Sequence, residues 1–176
     1  MAWRDCVSGA DVTSDPHAVL NALQADAARA ALARCCGSRR WVAGMMGRRP
    51  WTSAAALYAD AEAVWAELGH DDFLEAFGHH PRIGARAEQT DEAWARQEQA
   101  RVGDADGETR RALVGANERY LARFGYIFIV CATDKSAAEM LGLLEARLGN
   151  EPERELAIAA SEQARITRLR LEKLAV

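Results

Sequence analysis

The chain has 176 residues, of which 49% are hydrophobic and 27% are charged. This length and composition predict one globular domain and exclude a disordered or collagen-like chain. The net charge of −4 argues against a nucleic-acid partner, which would require a basic face, and no window is apolar enough to span a bilayer.

The N-terminal region shows no helical period before residue 16, so residues 1–15 are predicted to form a loose tail and residues 16–176 the domain. The tail has acidic residues and lacks the apolar stretch of a secretory signal, which favours a cytoplasmic location. Asp15 before Pro16 is a typical helix start, and we expect one helix from Pro16 to Cys35. Its expected apolar stripe is Val19, Leu20, Leu23, Ala27, Ala30 and Ala31.

Helical periodicity continues through most of the remaining sequence, and each helix start carries a capping residue. Ser38, Ser53 and Ser136 are the predicted caps, the last within a capping box that ends at Glu139. Three stretches depart from this pattern. They are a loop over 78–89, a break over 103–107 and the β-branched, aromatic run Tyr126–Ala132.

A single run such as Tyr126–Ala132 cannot form a sheet, so we interpret it as a buried extended segment between helices. The sequence therefore predicts an all-α fold, a single compact domain of seven or eight helices with one buried extended segment. The four cysteines form no CxxC pair, and we expect reduced thiols rather than a disulfide framework or a zinc site.

The last predicted helix places a charged residue among apolar ones. On a helical wheel Arg170 falls inside the apolar arc, whereas Arg165 and Arg168 fall on the solvent side. Burying a guanidinium without a partner costs several kcal/mol, so Arg170 is expected to have an anionic partner. That partner could be a ligand or a carboxylate of the same chain, and the side chain could instead extend to solvent at the helix end.

The helix predicted to begin near Asp91 repeats this anomaly. Glu98 and Gln99 interrupt its apolar face, and Glu98 lies one turn from Trp94, where desolvation would raise the pKa of its carboxyl group. Glu98 is thus a candidate acid or base. Alternatively, it forms an ion pair with Arg170.

The glycine-flanked loop contains His79, His80 and Pro81. A residue before proline is restricted to extended geometry, which fixes the direction of the His80 side chain. Histidine is suited to proton transfer near neutral pH, so His80 is a candidate acid–base residue, although it could also be inert. A metal site with His79, His80 and Glu98 is disfavoured because adjacent histidines point apart and no HxxxH or HExxH spacing occurs.

Taken together, these segments resemble the family of 2-oxo-4-hydroxy-4-carboxy-5-ureidoimidazoline (OHCU) decarboxylases. The resemblance runs from about residue 17 to the end of the chain. It rests on four segments: His80-Pro81-Arg82-Ile83-Gly84, Glu98-Gln99 within WARQEQARV, ANERYLARFGYIFIVCATDKSAAEML from Ala116, and the terminal ARITRLRLEKL.

The resemblance implies an all-helical, homodimeric enzyme that needs no cofactor or metal and converts OHCU to (S)-allantoin and CO2 in uric acid degradation. It implies that His80, Glu98 and Arg170 are catalytic, with Arg170 holding the substrate carboxylate. The implied substrate-binding residues are Pro81, Ala95, Gln99, Phe128, Ile129, Val130, Cys131 and Ala132. The family often has serine where this chain has Ala95, so one hydroxyl contact to the substrate is absent.

Two other functions remain open from the sequence. A noncatalytic, dimeric, helical ligand-binding module would keep the apolar stripes but would not require His80, Glu98 and Arg170 together. A decarboxylase acting on a related ureide would require them with a different substrate. Acceleration of OHCU decarboxylation with chiral allantoin as product separates the OHCU decarboxylase from both alternatives.

Overall fold

The computed structural model describes residues 15–80, 107–133 and 135–175. Within these residues the chain forms eight α-helices and a terminal 3-10 helix over Lys173–Ala175. The helices are α1 (Pro16–Ala22), α2 (Ala25–Cys35), α3 (Arg39–Met46), α4 (Ala54–Ala66), α5 (His70–Gly78), α6 (Gly107–Phe124), α7 (Ala137–Arg147) and α8 (Pro152–Glu172).

The all-α prediction is confirmed, since no strand occurs in the described parts of the chain. Helix α8 is the longest and contacts α2, α4 and α5, while α3 packs between α2 and α4, and α6 pairs with α7. None of the described helices combines the length and apolar character needed to cross a bilayer. The core therefore forms around one face of α8.

The predicted helix Pro16–Cys35 is wrong as a single element, because α1 ends at Ala22 and Leu23 and Gln24 are extended. Tertiary contacts compensate the interrupted helical hydrogen bonds. Arg49 Nη2 donates to the carbonyls of Leu20, Asn21 and Leu23 at 2.6, 3.1 and 2.8 Å. These bonds satisfy the carbonyls at the end of α1, which an uninterrupted helix would have bonded internally.

The break also shifts the buried face of α2. Ala27 and Ala30, expected in the apolar stripe, are exposed. Ala31, also expected in the stripe, is buried as predicted, and the other buried residues of α2 are Ala28, Leu32 and Cys35. A helical stripe continues in phase only while the helix is continuous, so the two extended residues rotate the pattern.

The predicted caps are confirmed. The Ser38 and Ser53 hydroxyls accept hydrogen bonds from Trp41 N and Ala56 N at 3.2 and 3.1 Å. Ser136 Oγ accepts from the amide of Glu139, and the Glu139 carboxylate accepts from the amide of Ser136, which completes the capping box. The starts of α3, α4 and α7 thus follow from local sequence.

The run Tyr126–Ala132 lies between α6 and α7 without regular secondary structure, as predicted. Gly125 has φ +80°, a conformation that glycine adopts readily after a helix, and it turns the chain out of α6. Tyr126, Phe128 and Ile129 are buried in the core. The segment is therefore non-helical and largely internal, and Tyr126 packs against Phe77 at the C-terminal end of α5.

Candidate active site

Helix α5 delivers His80 to the interior. The helix ends at Gly78, and the amide of His80 donates to Phe77 O at 3.1 Å in a final turn. Phe77 is buried and packs against Tyr126, with 5.2 Å between ring centroids. The end of α5 is thereby fixed against the extended segment, and His80, which is partly buried, points towards α8.

Helix α8 presents a polar stripe to His80. Gln163, Thr167 and Arg170 are spaced four and three residues apart, so they occupy one face of the helix. All three are buried, with 0, 4 and 6% of their surface exposed. Arg165 and Arg168 are on the opposite face, with side chains 67 and 42% exposed, as the wheel predicted.

Both ring nitrogens of His80 contact this stripe. Nε2 lies 2.6 Å from Gln163 Oε1, and Nδ1 lies 3.4 Å from Nη2 of Arg170. Gln163 Nε2 donates in turn to Thr167 Oγ1 at 3.2 Å. The imidazole and the guanidinium, which the sequence identified separately, therefore meet in one site.

The environment lowers the pKa of His80 to about 3. Burial of the ring is the largest cause, the positive charge of Arg170 is the second, and the hydrogen bond to Gln163 acts in the opposite direction. The imidazole is therefore neutral throughout the physiological pH range.

This depressed pKa predicts a pH-dependent contribution to stability. In the unfolded chain His80 binds a proton below about pH 6.5, whereas the folded protein does not, so the unfolded state gains protons as the pH falls. The contribution of His80 to stability is complete above about pH 6.5 and is lost progressively towards the folded pKa.

Thermal unfolding of the unaltered protein and of His80→Gln measures this effect, because all other titrating groups are common to both. When the pH is lowered from about 7 to about 5, the melting temperature of the unaltered protein should fall further than that of the variant. Equal losses would show that His80 titrates normally in the folded protein.

The junction between α2 and α3 closes against the end of α5. A Cβ built on Gly37 would lie 2.2 Å from Cγ and 2.5 Å from Cβ of His79. These atoms are close to the His79 backbone and cannot move away without displacing the residue that precedes His80. Gly37 therefore permits an approach that no other residue type allows.

Consecutive residues of α8 attach the two neighbouring parts of the site. Gln163 holds His80, and the Glu162 carboxylate accepts a hydrogen bond from the amide of Cys131 at 2.7 Å. Cys131 O also accepts from Lys135 Nζ at 2.8 Å. The segment Tyr126–Ala132 and the imidazole are thus both hydrogen-bonded to the same turn of α8.

A buried ion pair supports the segment from the other side. Arg147 Nε donates to Glu155 Oε1 at 2.7 Å, and Arg147 Nη1 donates to Ile129 O at 2.9 Å. The guanidinium also stacks on Phe128 at 4.6 Å, and the Tyr120 hydroxyl donates to Glu155. Because Glu155 is fully buried and Arg147 is nearly so, the pair fixes the backbone path of the segment.

Part of the predicted site lies outside the described residues, namely Pro81, Ala95, Glu98 and Gln99. The predicted segment Phe128–Ala132 is present, and at least four of its backbone groups are already bonded within the chain, namely Ile129 O, Cys131 N, Cys131 O and Ala132 O. Sequence reasoning missed Gln163, which is seven residues before Arg170 and in the same wheel arc. The interruption of that arc by an amide was the available signal.

The described cysteines, Cys35, Cys36 and Cys131, are free and buried. Burial raises the pKa of the Cys36 thiol to about 11, so it is a neutral neighbour of the polar stripe. In the ranges 15–80, 107–133 and 135–175, no three His, Cys, Asp or Glu side chains form a cluster that could hold a metal ion. The metal site of His79, His80 and Glu98, which the sequence disfavours, includes Glu98, which lies outside these ranges.

Comparison with known proteins identifies one family. Residues 21–172 match the family model described as OHCU decarboxylase. A crystal structure of an OHCU decarboxylase in the presence of (S)-allantoin superimposes with a TM-score of 0.70 and 36% identity, covering 81% of this chain and 94% of the other.

Curated relatives show the same similarity. The "Uric acid degradation bifunctional protein TTL" of Arabidopsis thaliana is 37% identical over 80% of this chain, which spans 45% of that protein. The OHCU decarboxylase of Halalkalicoccus jeotgali is 31% identical over 77% of this chain and 78% of its own length. The chain thus spans less than half of the plant bifunctional protein and most of the archaeal one.

Proposed function

The chain belongs to the OHCU decarboxylase family, and from this premise we propose that it converts OHCU to (S)-allantoin and CO2 in uric acid degradation. The observation that supports this activity is the contact of a neutral imidazole with a buried guanidinium, His80 with Arg170. A small carboxylate bound by the guanidinium would lie directly beside the imidazole.

The reaction requires a place for one electron pair. When the bond between the ring carbon and the carboxylate breaks, CO2 leaves and the electron pair enters the ring, where the adjacent C=N bond accepts it. The ring nitrogen that received the electron pair takes up a proton, which gives an enol. The hydroxyl group on the carbon that lost CO2 then loses its proton to become the carbonyl, and the neighbouring ring carbon, which bears the ureido group, takes up a proton on one face. One proton is consumed overall when the substrate is the carboxylate ion, and no external electron acceptor is needed.

Arg170 holds the substrate carboxylate in this proposal. Its planar fork of N–H donors matches a carboxylate in two parallel hydrogen bonds, and burial strengthens such charge-assisted bonds. Fixing this group out of the ring plane aligns the breaking bond with the ring π system. The anion also offsets the guanidinium charge, which is one of the two main causes of the low pKa of His80.

His80 acts as general acid and base at the substrate hydroxyl and ring. Substrate binding raises its pKa from the low value of the free protein, because the second cause of the depression is neutralised. The ring can then accept the hydroxyl proton and return a proton to carbon. Glu98 orients the ureido group or tunes His80.

The remaining contacts follow the family pattern. Backbone groups of the Phe128–Ala132 segment would pair with the ureido and ring edges, while Arg147 and Glu162 hold the segment in shape. Pro81 and Gln99 would line the substrate site, as would Ala95 without the hydroxyl group common in the family. A homodimer in the cytoplasm completes the proposal, and sedimentation and cell fractionation test those two features.

The direct test adds the protein to freshly generated OHCU and records circular dichroism together with CO2 release. We expect faster decarboxylation and optically active (S)-allantoin. Product formation at the uncatalysed rate and without chirality would contradict the proposal and favour a noncatalytic binding module. Turnover of a related ureide but not of OHCU would identify a different substrate.

Gly37→Ala tests whether the position of His80 depends on the α2–α3 junction. The added methyl group must displace His79, so we expect kcat/KM to fall by about 10–100-fold, because small displacements of reacting groups are costly. Gly69→Ala is the matched control, since a Cβ there has no atom within 4 Å at the other end of α5. Equal activity of the two variants would refute the dependence.

A further inference from the structure

The contacts of His80 determine which ring nitrogen carries the proton. A guanidinium can only donate hydrogen bonds, so Nδ1, which faces Arg170 Nη2 at 3.4 Å, must be the unprotonated acceptor. An imidazolium would instead direct an N–H at the guanidinium. Nε2 therefore carries the proton and donates it to Gln163 Oε1 at 2.6 Å.

The orientation of the Gln163 amide follows from the assignment of the donor to His80 Nε2. Its oxygen faces His80, so its NH2 group faces Thr167, whose hydroxyl oxygen is 3.2 Å away. Gln163 is fully buried and Thr167 is 4% exposed, which keeps bulk water from replacing either bond. A reversed amide would place an N–H against the N–H of His80 and lose the first bond.

We propose that Gln163, supported by Thr167, is a positioning residue that keeps the proton of His80 on Nε2, so that Nδ1 is the nitrogen that exchanges protons with the substrate. This inference rests on the proposed function, because Nδ1 is freed only when the substrate carboxylate draws the Arg170 guanidinium to itself. With Arg170 engaged by the substrate, the bond to Gln163 is the contact within the described residues that maintains the tautomer.

The tautomer is measured in the free, full-length protein by NMR after labelling its four histidines with 15N. The His80 signals are assigned by their loss in His80→Gln. We expect a pyridine-type Nδ1 and a pyrrole-type Nε2, and the opposite assignment would overturn the proposal. This measurement uses no substrate, so absence of OHCU turnover would defeat the proposed function without altering the tautomer result.

Gln163→Met removes the acceptor at similar volume. We expect kcat on OHCU to fall by about 10–100-fold, which is a smaller decrease than removal of an acid–base group causes. KM should change by less than about threefold, because Arg170 still binds the substrate carboxylate. The His80 15N signals should move towards exchange-averaged values. Gln24→Met, at an exposed glutamine, is the matched control and should change neither.

Thr167→Val and Thr167→Ser provide a milder pair if Gln163→Met fails to fold. Valine removes the hydroxyl group that holds the amide, so kcat should fall by several-fold with altered His80 signals, and serine should restore both. Reduced kcat with unchanged nitrogen signals would indicate a merely structural effect and overturn the proposal. Altered signals with unchanged kcat would overturn it equally.

Discussion

His80→Ala should lower kcat on OHCU by about 10²–10⁴-fold, the range expected when a general acid–base group is removed. The variant loses the only imidazole that the described structure places against Arg170, and with it the group that accepts the hydroxyl proton. KM should change less, because the guanidinium that holds the carboxylate is retained.

The control for this variant is His70→Ala at the start of α5, where the side chain is 63% exposed. It should retain full activity, and circular dichroism should show that both variants are folded. Undiminished turnover of His80→Ala with unchanged product chirality would remove His80 from the mechanism.

Arg170→Lys should lower kcat/KM by about 10–100-fold, the effect of losing about one charge-assisted hydrogen bond. Lysine retains the positive charge but replaces the planar fork with a single ammonium group, so the carboxylate is no longer held by two parallel bonds. The effect should appear mainly in KM if the arginine acts in substrate binding, and in kcat if it orients the breaking bond.

Arg154→Lys is the matched control, since Arg154 is exposed in the first turn of the same helix. It should leave kcat/KM unchanged. Unchanged substrate affinity and turnover in Arg170→Lys would contradict a bidentate role. A loss in Arg170→Lys that was accompanied by a loss of helicity would instead indicate that the buried guanidinium is needed for folding.

Much of the fold followed from local sequence. The caps at Ser38 and Ser136 depend on residues within one helical turn of each other, and the structure confirms both of them. The prediction that Tyr126–Ala132 forms neither helix nor sheet is also confirmed, because a single β-prone run has no partner strand.

The break between α1 and α2 could not be found in this way. Leu23 and Gln24 contain no helix-breaking signal, and the chain leaves the helix because Arg49 satisfies the freed carbonyls from about 26 residues further along. Helical propensity is a weak preference that such tertiary hydrogen bonds override.

The candidate site shows the same division. A charged residue in an apolar arc was sufficient to identify Arg170, since helical periodicity alone reports which face is buried. That Arg170 meets His80, 90 residues away, and that Gln163 fixes the His80 proton on Nε2, was decided only by the packing of α5 on α8. Periodicity reports the environment of each helix face, whereas hydrogen-bond partners depend on how separate helices are placed against one another.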